Sequence, residues 1–240
     1  MQPAMPSTGD NRAEARGARA FFGRRKGHRL RPQQTRLLET LLPRLAVDLQ
    51  SSAPADLRDL FPESVGEVRL EIGFGGGEHM LAEAAEHSRS GIIGSEAFIN
   101  GMAKALAGIA AQRIGNVRLH LGDVALLMPW LPRGSLSRVD LIYPDPWPKR
   151  RHWKRRFVQE QSLGEIARVL RPGGEFRFVT DVADYAAWTL RHVAQSAMFE
   201  WTAERADDWR LPWAGFGGTR YEAKAKQAGR VPSYLIFRRI

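Results

Sequence analysis

The chain has 240 residues, and 43% of them are hydrophobic, enough for a sizeable core in one α/β domain with extensions or in two small domains. Its formal net charge of +10 points to a polyanionic partner, because Lys and Arg gain affinity by displacing counterions from phosphates. It has no cysteine, which excludes disulfides, thiolate metal ligands and cysteine nucleophiles. No apolar run approaches the roughly 20 residues that cross a bilayer, and the first residues carry no export pattern, so a cytosolic (cytoplasmic) protein is expected. The basic residues do not alternate with an apolar helical face near either terminus, which favours nucleic acid over a membrane surface.

Residues 1–18 are rich in Pro, Ser, Gly, Ala and Arg without a period and read as a disordered tail. The character changes at Arg19. Phe21 and Phe22 are interleaved with Arg24, Arg25, Lys26, Arg29 and Arg31, which suits either a nucleic-acid clamp or a basic tail with no fixed partner. Leu37, Leu38, Leu41, Leu42 and Leu45 recur at helical spacing over 33–45, with Pro32 as a start signal. Residues 53–62 read as a linker or short turn. Strands are predicted at 68–72, 91–95, 116–121, 139–143 and 175–180. They alternate with helices near 78–86, 99–114, 156–170 and 185–196, the third of these stopped by Pro172-Gly173-Gly174. Two further strands follow, 199–203 and 234–238. This alternation predicts an α/β fold: a mostly parallel central sheet with helices on both faces, closed by an antiparallel edge. Residues 19–240 form a single domain in this reading, with about 19–62 as a basic N-terminal arm.

Glu71-Ile72-Gly73-Phe74-Gly75-Gly76-Gly77 lies between the first strand and the first helix. Glycine there permits a sharp turn and close approach of a ligand. Gly73 and Gly75 fit a dinucleotide fingerprint, but its last slot falls on Glu78, where a carboxylate would face a pyrophosphate. A ligand without phosphate is favoured, and S-adenosylmethionine is one: glycine N–H groups can hold its carboxylate, and Glu71 can complement its cationic part. Further acids follow successive strands. Glu96 is placed to accept ribose hydroxyls, Asp123 to accept the adenine amino group, and Asp145 and Asp181 follow the next two strands. Any one of them also reads as a helix cap. Five acids at five strand ends fit the ligand crevice of an open α/β sheet.

Asp145-Pro146-Trp147-Pro148 leads into Lys149, Arg150, Arg151, His152, Trp153, Lys154, Arg155 and Arg156, with six cations in eight residues. The prolines stiffen the loop. The cations read as contacts to an RNA backbone or as a solvated basic loop. Trp147 and Trp153 read as base-stacking or as buried side chains. Gly215-Phe216-Gly217-Gly218 reads as a mobile loop that carries Thr219, Arg220, Tyr221 and Glu222 over the crevice. The six histidines have no metal-ligand spacing, and no metal is expected.

Together, the glycine loop, Gly94-Ser95-Glu96, the stretch from Asp145 to Arg156 and Thr219-Arg220-Tyr221-Glu222 resemble bacterial tRNA (guanine-N7-)-methyltransferases. The resemblance covers about residues 19–240. It implies a Rossmann-like methyltransferase fold, S-adenosylmethionine as cofactor, tRNA as partner and methyl transfer to N7 of the variable-loop guanine. Carried over by motif, Glu71, Gly73, Gly75, Glu96, Asp123 and Asp145 are implied cofactor-site residues, with Asp145 catalytic. Lys149, Asp181, Thr219, Arg220, Tyr221 and Glu222 are implied substrate-binding residues. Ser95 stands where an aliphatic residue is common in the family. Methylation of another RNA base or an exocyclic amine, a nicotinamide-dependent oxidoreductase and a non-catalytic RNA-binding protein are the competing readings. Both a monomer and a homodimer are compatible with the sequence.

Overall fold

A computed structural model describes residues 22–240; the tail expected over 1–18, and residues 19–21 of the arm, lie outside them. Seven strands form one sheet: β1 (Glu67–Ile72), β2 (Ser90–Glu96), β3 (Val117–Leu121), β4 (Leu136–Ile142), β5 (Leu170–Thr180), β6 (Phe199–Trp201) and β7 (Ser233–Arg239). Their order is β3-β2-β1-β4-β5-β7-β6. The first five are parallel, and β7 runs antiparallel to both β5 and β6. The order reverses between β1 and β4, which creates a switch point where a crevice opens beyond the carboxyl ends of the strands. Ile72 of β1 pairs with Ser95 of β2 and Leu141 of β4, so these three strands end level with one another.

The helices are α1 (Pro32–Thr40), α2 (Leu42–Leu45), α3 (Glu78–Glu86), α4 (Ile99–Gln112), α5 (Val124–Leu127), α6 (Glu160–Val169), α7 (Ala183–Ser196), α8 (Asp207–Arg210) and α9 (Arg220–Gln227). On one sheet face Val68, Leu70, Val139, Leu141, Phe176 and Phe178 pack against Leu127, Leu163, Ile166 and Tyr185. On the other, Ile92 and Leu119 meet Met80, Leu81, Met102 and Leu106. Burial of such side chains contributes about 1.5–3 kcal/mol each.

Period-2 alternation along β1 and β4 places Arg69, Glu71, Arg138 and Asp140 in a charged layer beneath α3. Arg138 donates to Asp140 and Glu83, and Arg69 donates to Glu67 and Glu83. Buried charge is tolerated only when it is paired in this way.

Several boundaries differ from those read in the sequence. The helix expected over 33–45 breaks at Leu41, because the ring of Pro43 removes an amide donor and crowds the preceding turn. The helix expected from 156 starts at Glu160, where Ser162 accepts the Gln159 N–H at 2.9 Å. Arg150–Arg155 form a 3₁₀ turn instead. The arm is tied down: Ile99 N–H donates to Arg25 O, Gly27 N–H to Asn100 Oδ1, and Asn100 Nδ2 to His28 O, at 3.1, 2.7 and 2.7 Å.

Candidate active site

A cleft of about 340 Å³ opens at the switch point. Gly73 and Gly75 form its floor, Glu96 and Phe98 one side, Tyr143, Asp145 and Trp147 another, and Arg220 with Tyr221 the edge. Phe22 and Arg24 of the arm also reach it.

The floor depends on backbone shape. Gly73, Gly75 and Gly77 have φ of 68°, 59° and 81°, a region that side chains other than glycine enter at a cost. Gly101 on α4 serves a second need. A Cβ there would lie 2.3 Å from the carbonyl oxygen of Gly75, so only glycine lets α4 reach the loop. Sequence reasoning missed Gly101; a glycine in an otherwise good helix was the available signal.

Glu96 ends β2 and organises the loop. Its Oε2 accepts the Gly75 N–H at 2.6 Å and its Oε1 accepts the Phe98 N–H at 2.7 Å. Burial raises its pKa, the backbone N–H groups of Phe98, Gly75 and Ala97 oppose that, and the charge of Asp145 adds to it. Asp123 caps α5 by accepting the Ala125 N–H at 3.1 Å and is buried. Its neighbours Gly122 and Val124 line the cleft, and Asp123 itself does not. Glu71 also lies away from the cleft. It is 3% exposed, and Nδ1 of His79 stands 2.8 Å from its Oε2. Glu71, Glu96 and Asp123 thus stand at strand ends, each with its own partner.

Asp145 stands at the mouth of the cleft, with more than a third of its surface open. Loss of hydration on its walled side raises its pKa. No hydrogen bond or ion pair from the described residues engages its carboxylate. On either side of it, Tyr143 and Trp147 adopt φ of 51° and 42°, strained for aromatic residues. Arg155 lies 4.9 Å over the Trp147 ring and 5.9 Å from that of Phe22, joining the loop to the arm.

Lys149, Arg150, Arg151 and Lys154 are exposed around this loop. Arg156 is not, and the expectation that it binds RNA backbone is corrected. Its side chain is fully buried, donates to Pro146 O at 2.9 Å, pairs with Asp184, and packs among the rings of Trp153, Tyr185 and Trp188. The aromatic setting and a guanidinium fork that bonds in several directions draw it inward. Arg156 therefore anchors the Asp145 loop from behind. Trp153 packs edge-on to Trp188 with a buried indole nitrogen, whereas Trp147 faces the cleft.

Residues 219–222, expected on a mobile loop, open helix α9. Thr219 Oγ1 accepts the Glu222 N–H at 3.1 Å; the Thr-x-x-Glu spacing is a helix-start signature. Tyr221 stacks on Tyr143 with ring centroids 6.3 Å apart, and Arg220 reaches Glu78 at 3.8 Å. Glu222 is buried, accepting from the Tyr234 hydroxyl and from Lys226, each at 2.6 Å. Asp181 accepts from Arg230 at 2.6 Å. Among the described residues no cluster of three or more His, Asp or Glu has the arrangement of a metal site, and no helix is long and apolar enough to cross a membrane.

Sheet order, glycine loop and strand-end acids define a Rossmann-like methyltransferase, the fold used by S-adenosylmethionine-dependent enzymes. The 16S rRNA methyltransferase KamB superposes with a TM-score of 0.52 at 14% identity, over 76% of this chain and 90% of its own. TrmN from Thermus thermophilus gives 0.53 at 16% identity, over 77% of this chain and 47% of its own. Residues 66–233 match the model of a family described as a putative methyltransferase. The tRNA (guanine-N(7)-)-methyltransferase of Nitrobacter hamburgensis is 59% identical, over 97% of this chain and 92% of the relative. That of Rhizobium meliloti is 56% identical, over 94% and 99%. The chain belongs to the tRNA (guanine-N7-)-methyltransferase family.

Proposed function

We propose that the protein transfers a methyl group from S-adenosylmethionine to N7 of a guanine in tRNA, and that it works in the cytoplasm. The observation that carries this reading beyond family membership is Asp145: a carboxylate with no partner among the described residues, held at the mouth of the glycine-floored cleft.

The donor set fits this cofactor. A Cβ built at Gly73 meets nothing within 4 Å, so the loop backbone there is open to a ligand. Each oxygen of Glu96 accepts one N–H and keeps a lone pair for a ribose hydroxyl. Asp123 caps α5 beside the cleft wall made by Gly122 and Val124, and the buried Glu71 carboxyl lies beneath the loop. Bound there, S-adenosylmethionine supplies an electrophilic methyl group on a sulfonium.

Guanine N7 carries a lone pair and no proton at neutral pH, so it attacks in one in-line displacement and needs no general base. The task left to the protein is mainly positioning. The product base gains positive charge, and Asp145 offsets it and orients the ring through N1–H and the amino group. Tyr143 and Tyr221 offer a stacking wall for an extruded base. Arg220 at the edge of the cleft, with Lys149 and Asp181, holds the nucleotide, while Thr219 and the buried Glu222 fix the start of the helix that carries Arg220. Arg150, Arg151, Lys154 and Arg155 meet backbone phosphates, which position the RNA without reading its sequence.

The test is incubation with unmodified tRNA and labelled cofactor, followed by nucleoside mass spectrometry. 7-Methylguanosine is expected. Label in a different base or in an exocyclic amine would redirect the reading to another RNA methylation, and no label above background would refute it.

A further inference from the structure

His79 takes no part in the chemistry above, yet it is 1% exposed and surrounded by charge. It sits in the first turn of α3, two residues beyond the glycine loop. From β1, Glu71 faces its Nδ1 at 2.8 Å; from α3, Glu83 lies 3.8 Å from its Nε2. From β4, Asp140 adds its charge, and Arg138 bonds Asp140 and Glu83 in the same layer. The remaining side is closed by segment 211–218. Trp213 packs edge-on to the imidazole with centroids 6.4 Å apart, and Phe216 is tilted against it at 5.3 Å. That segment brings no charge to His79. Its own outer neighbour is Arg177 of β5, 4.8 Å over the Trp213 ring.

The layer holds three buried carboxylates, Glu71, Glu83 and Asp140, against two guanidiniums, Arg69 and Arg138, with Glu67 at the rim shared between Arg69 and Arg171. One proton on the Glu71–His79 pair brings the inner layer to balance: burial raises the pKa of Glu71, and the surrounding carboxylates raise that of His79. Nε2 of His79 and Oδ1 of Asp140 have no hydrogen-bond partner, so the imidazole is retained at a cost that apolar packing would avoid. The side chain has two distinct attachments. One runs through Glu71 to the strand that leads into the cofactor loop. The other runs through Trp213 and Phe216 to the segment that leads directly into Thr219, Arg220, Tyr221 and Glu222.

We propose that His79 is a positioning residue that couples the two halves of the site, so that tRNA held by residues 219–222 tightens the grip of the glycine loop on the cofactor. The inference rests on the reading of the cleft as a methyltransferase site. It assigns coupling to one physical element with both halves attached to it. Burial opposes charge on the imidazole, but Glu71, Asp140 and Glu83 together outweigh it and raise the pKa above the usual histidine value. The linkage has one sign. A raised folded-state pKa means that the coupling and the associated stability are complete at low pH and are lost as pH rises through that pKa.

The experiment is titration of full-length enzyme with S-adenosylhomocysteine, with and without saturating tRNA, across pH. In the wild type tRNA should tighten cofactor binding about tenfold at pH 6, within the usual range of coupling between sites, and less as pH rises. His79→Asn keeps a donor toward Glu71 and loses the ring contacts; His79→Phe keeps the ring contacts and loses the donor. Each should reduce the factor below about twofold and remove its pH dependence. Trp213→Leu cuts the same link from the segment side without touching the buried charges, and so stands in if the His79 variants do not fold. It should abolish the coupling and leave affinity without tRNA within about threefold. A merely structural His79 would lower the melting temperature and leave the factor and its pH profile unchanged in every folded variant, which overturns the inference. A wild type that binds S-adenosylhomocysteine with a factor near one also overturns it and leaves the activity standing. A wild type that binds none overturns both.

Discussion

Replacing Asp145 with asparagine keeps the shape of the loop and removes one negative charge at the mouth of the cleft. Two unit charges about 4 Å apart interact by about 4 kcal/mol in surroundings of effective dielectric about 20, and by about 1 kcal/mol in water. More than a third of Asp145 is open to solvent, so the middle of that interval is the better guide, about 2–3 kcal/mol. If that energy acts on the charge developing on the base, the methyl-transfer rate of Asp145→Asn falls roughly 30- to 160-fold. Binding of S-adenosylhomocysteine should stay within about tenfold, because the loop N–H groups and Glu96 remain. Single-turnover transfer of a labelled methyl group, beside an equilibrium titration, separates the two quantities. The wild-type rate should also fall as acid protonates Asp145, and the raised pKa moves this limb above the usual aspartate range. A rate within threefold of wild type, or an affinity loss as large as the rate loss, would refute an orienting or charge-offsetting role.

The two neighbouring arginines should part company. Arg155→Ala should lower the salt slope of tRNA binding by about one unit, whereas Arg156→Ala, which removes a buried guanidinium, should cost about 2–3 kcal/mol of stability in urea titrations and leave the slope of the folded fraction unchanged. Gly101→Ala pushes a methyl group against the Gly75 carbonyl and should weaken S-adenosylhomocysteine binding at least about tenfold while tRNA binding persists; an undiminished affinity would show that the loop has room to spare. Thr219→Ala removes the cap of α9, worth about 1 kcal/mol, and should speed amide exchange across Arg220–Gln227 with little change in the central strands.

The alternation of strands and helices was legible because it rests on local rules. Apolar runs marked β1 to β4 within three residues, whereas β5 begins at Leu170, five residues before the expected start, and takes in the Pro172-Gly173-Gly174 read as a helix stop. The crevice was legible only in part: Glu96 and Asp145 line it, whereas Glu71, Asp123 and Asp181 stand at their strand ends with partners of their own. What escaped depended on partners remote in sequence. Arg156 looked like its neighbours Lys154 and Arg155 because nothing local announces Trp188 and Asp184, which arrive from α7. Glu71 read as a free strand-end acid until Arg138, Asp140 and His79 came together around it. The helix at 220–227 was hidden by the glycines before it, although Thr219 and Glu222 already had the spacing of a cap.

The strained backbone on either side of Asp145 has a consequence for how this enzyme can change. Tyr143 and Trp147 hold left-handed conformations without being glycine, a departure worth on the order of 1–2 kcal/mol each. The molecule is therefore less stable there than its own sequence neighbourhood allows. Selection for heat resistance alone would be drawn to this loop, exchanging Tyr143 or Trp147 for glycine or asparagine, and would gain melting temperature at the expense of the aim of the carboxylate between them. A relative adapted to high temperature would face that conflict directly. One that keeps both aromatic residues must find its stability elsewhere, and the anchor built on Arg156 is the nearest place to reinforce.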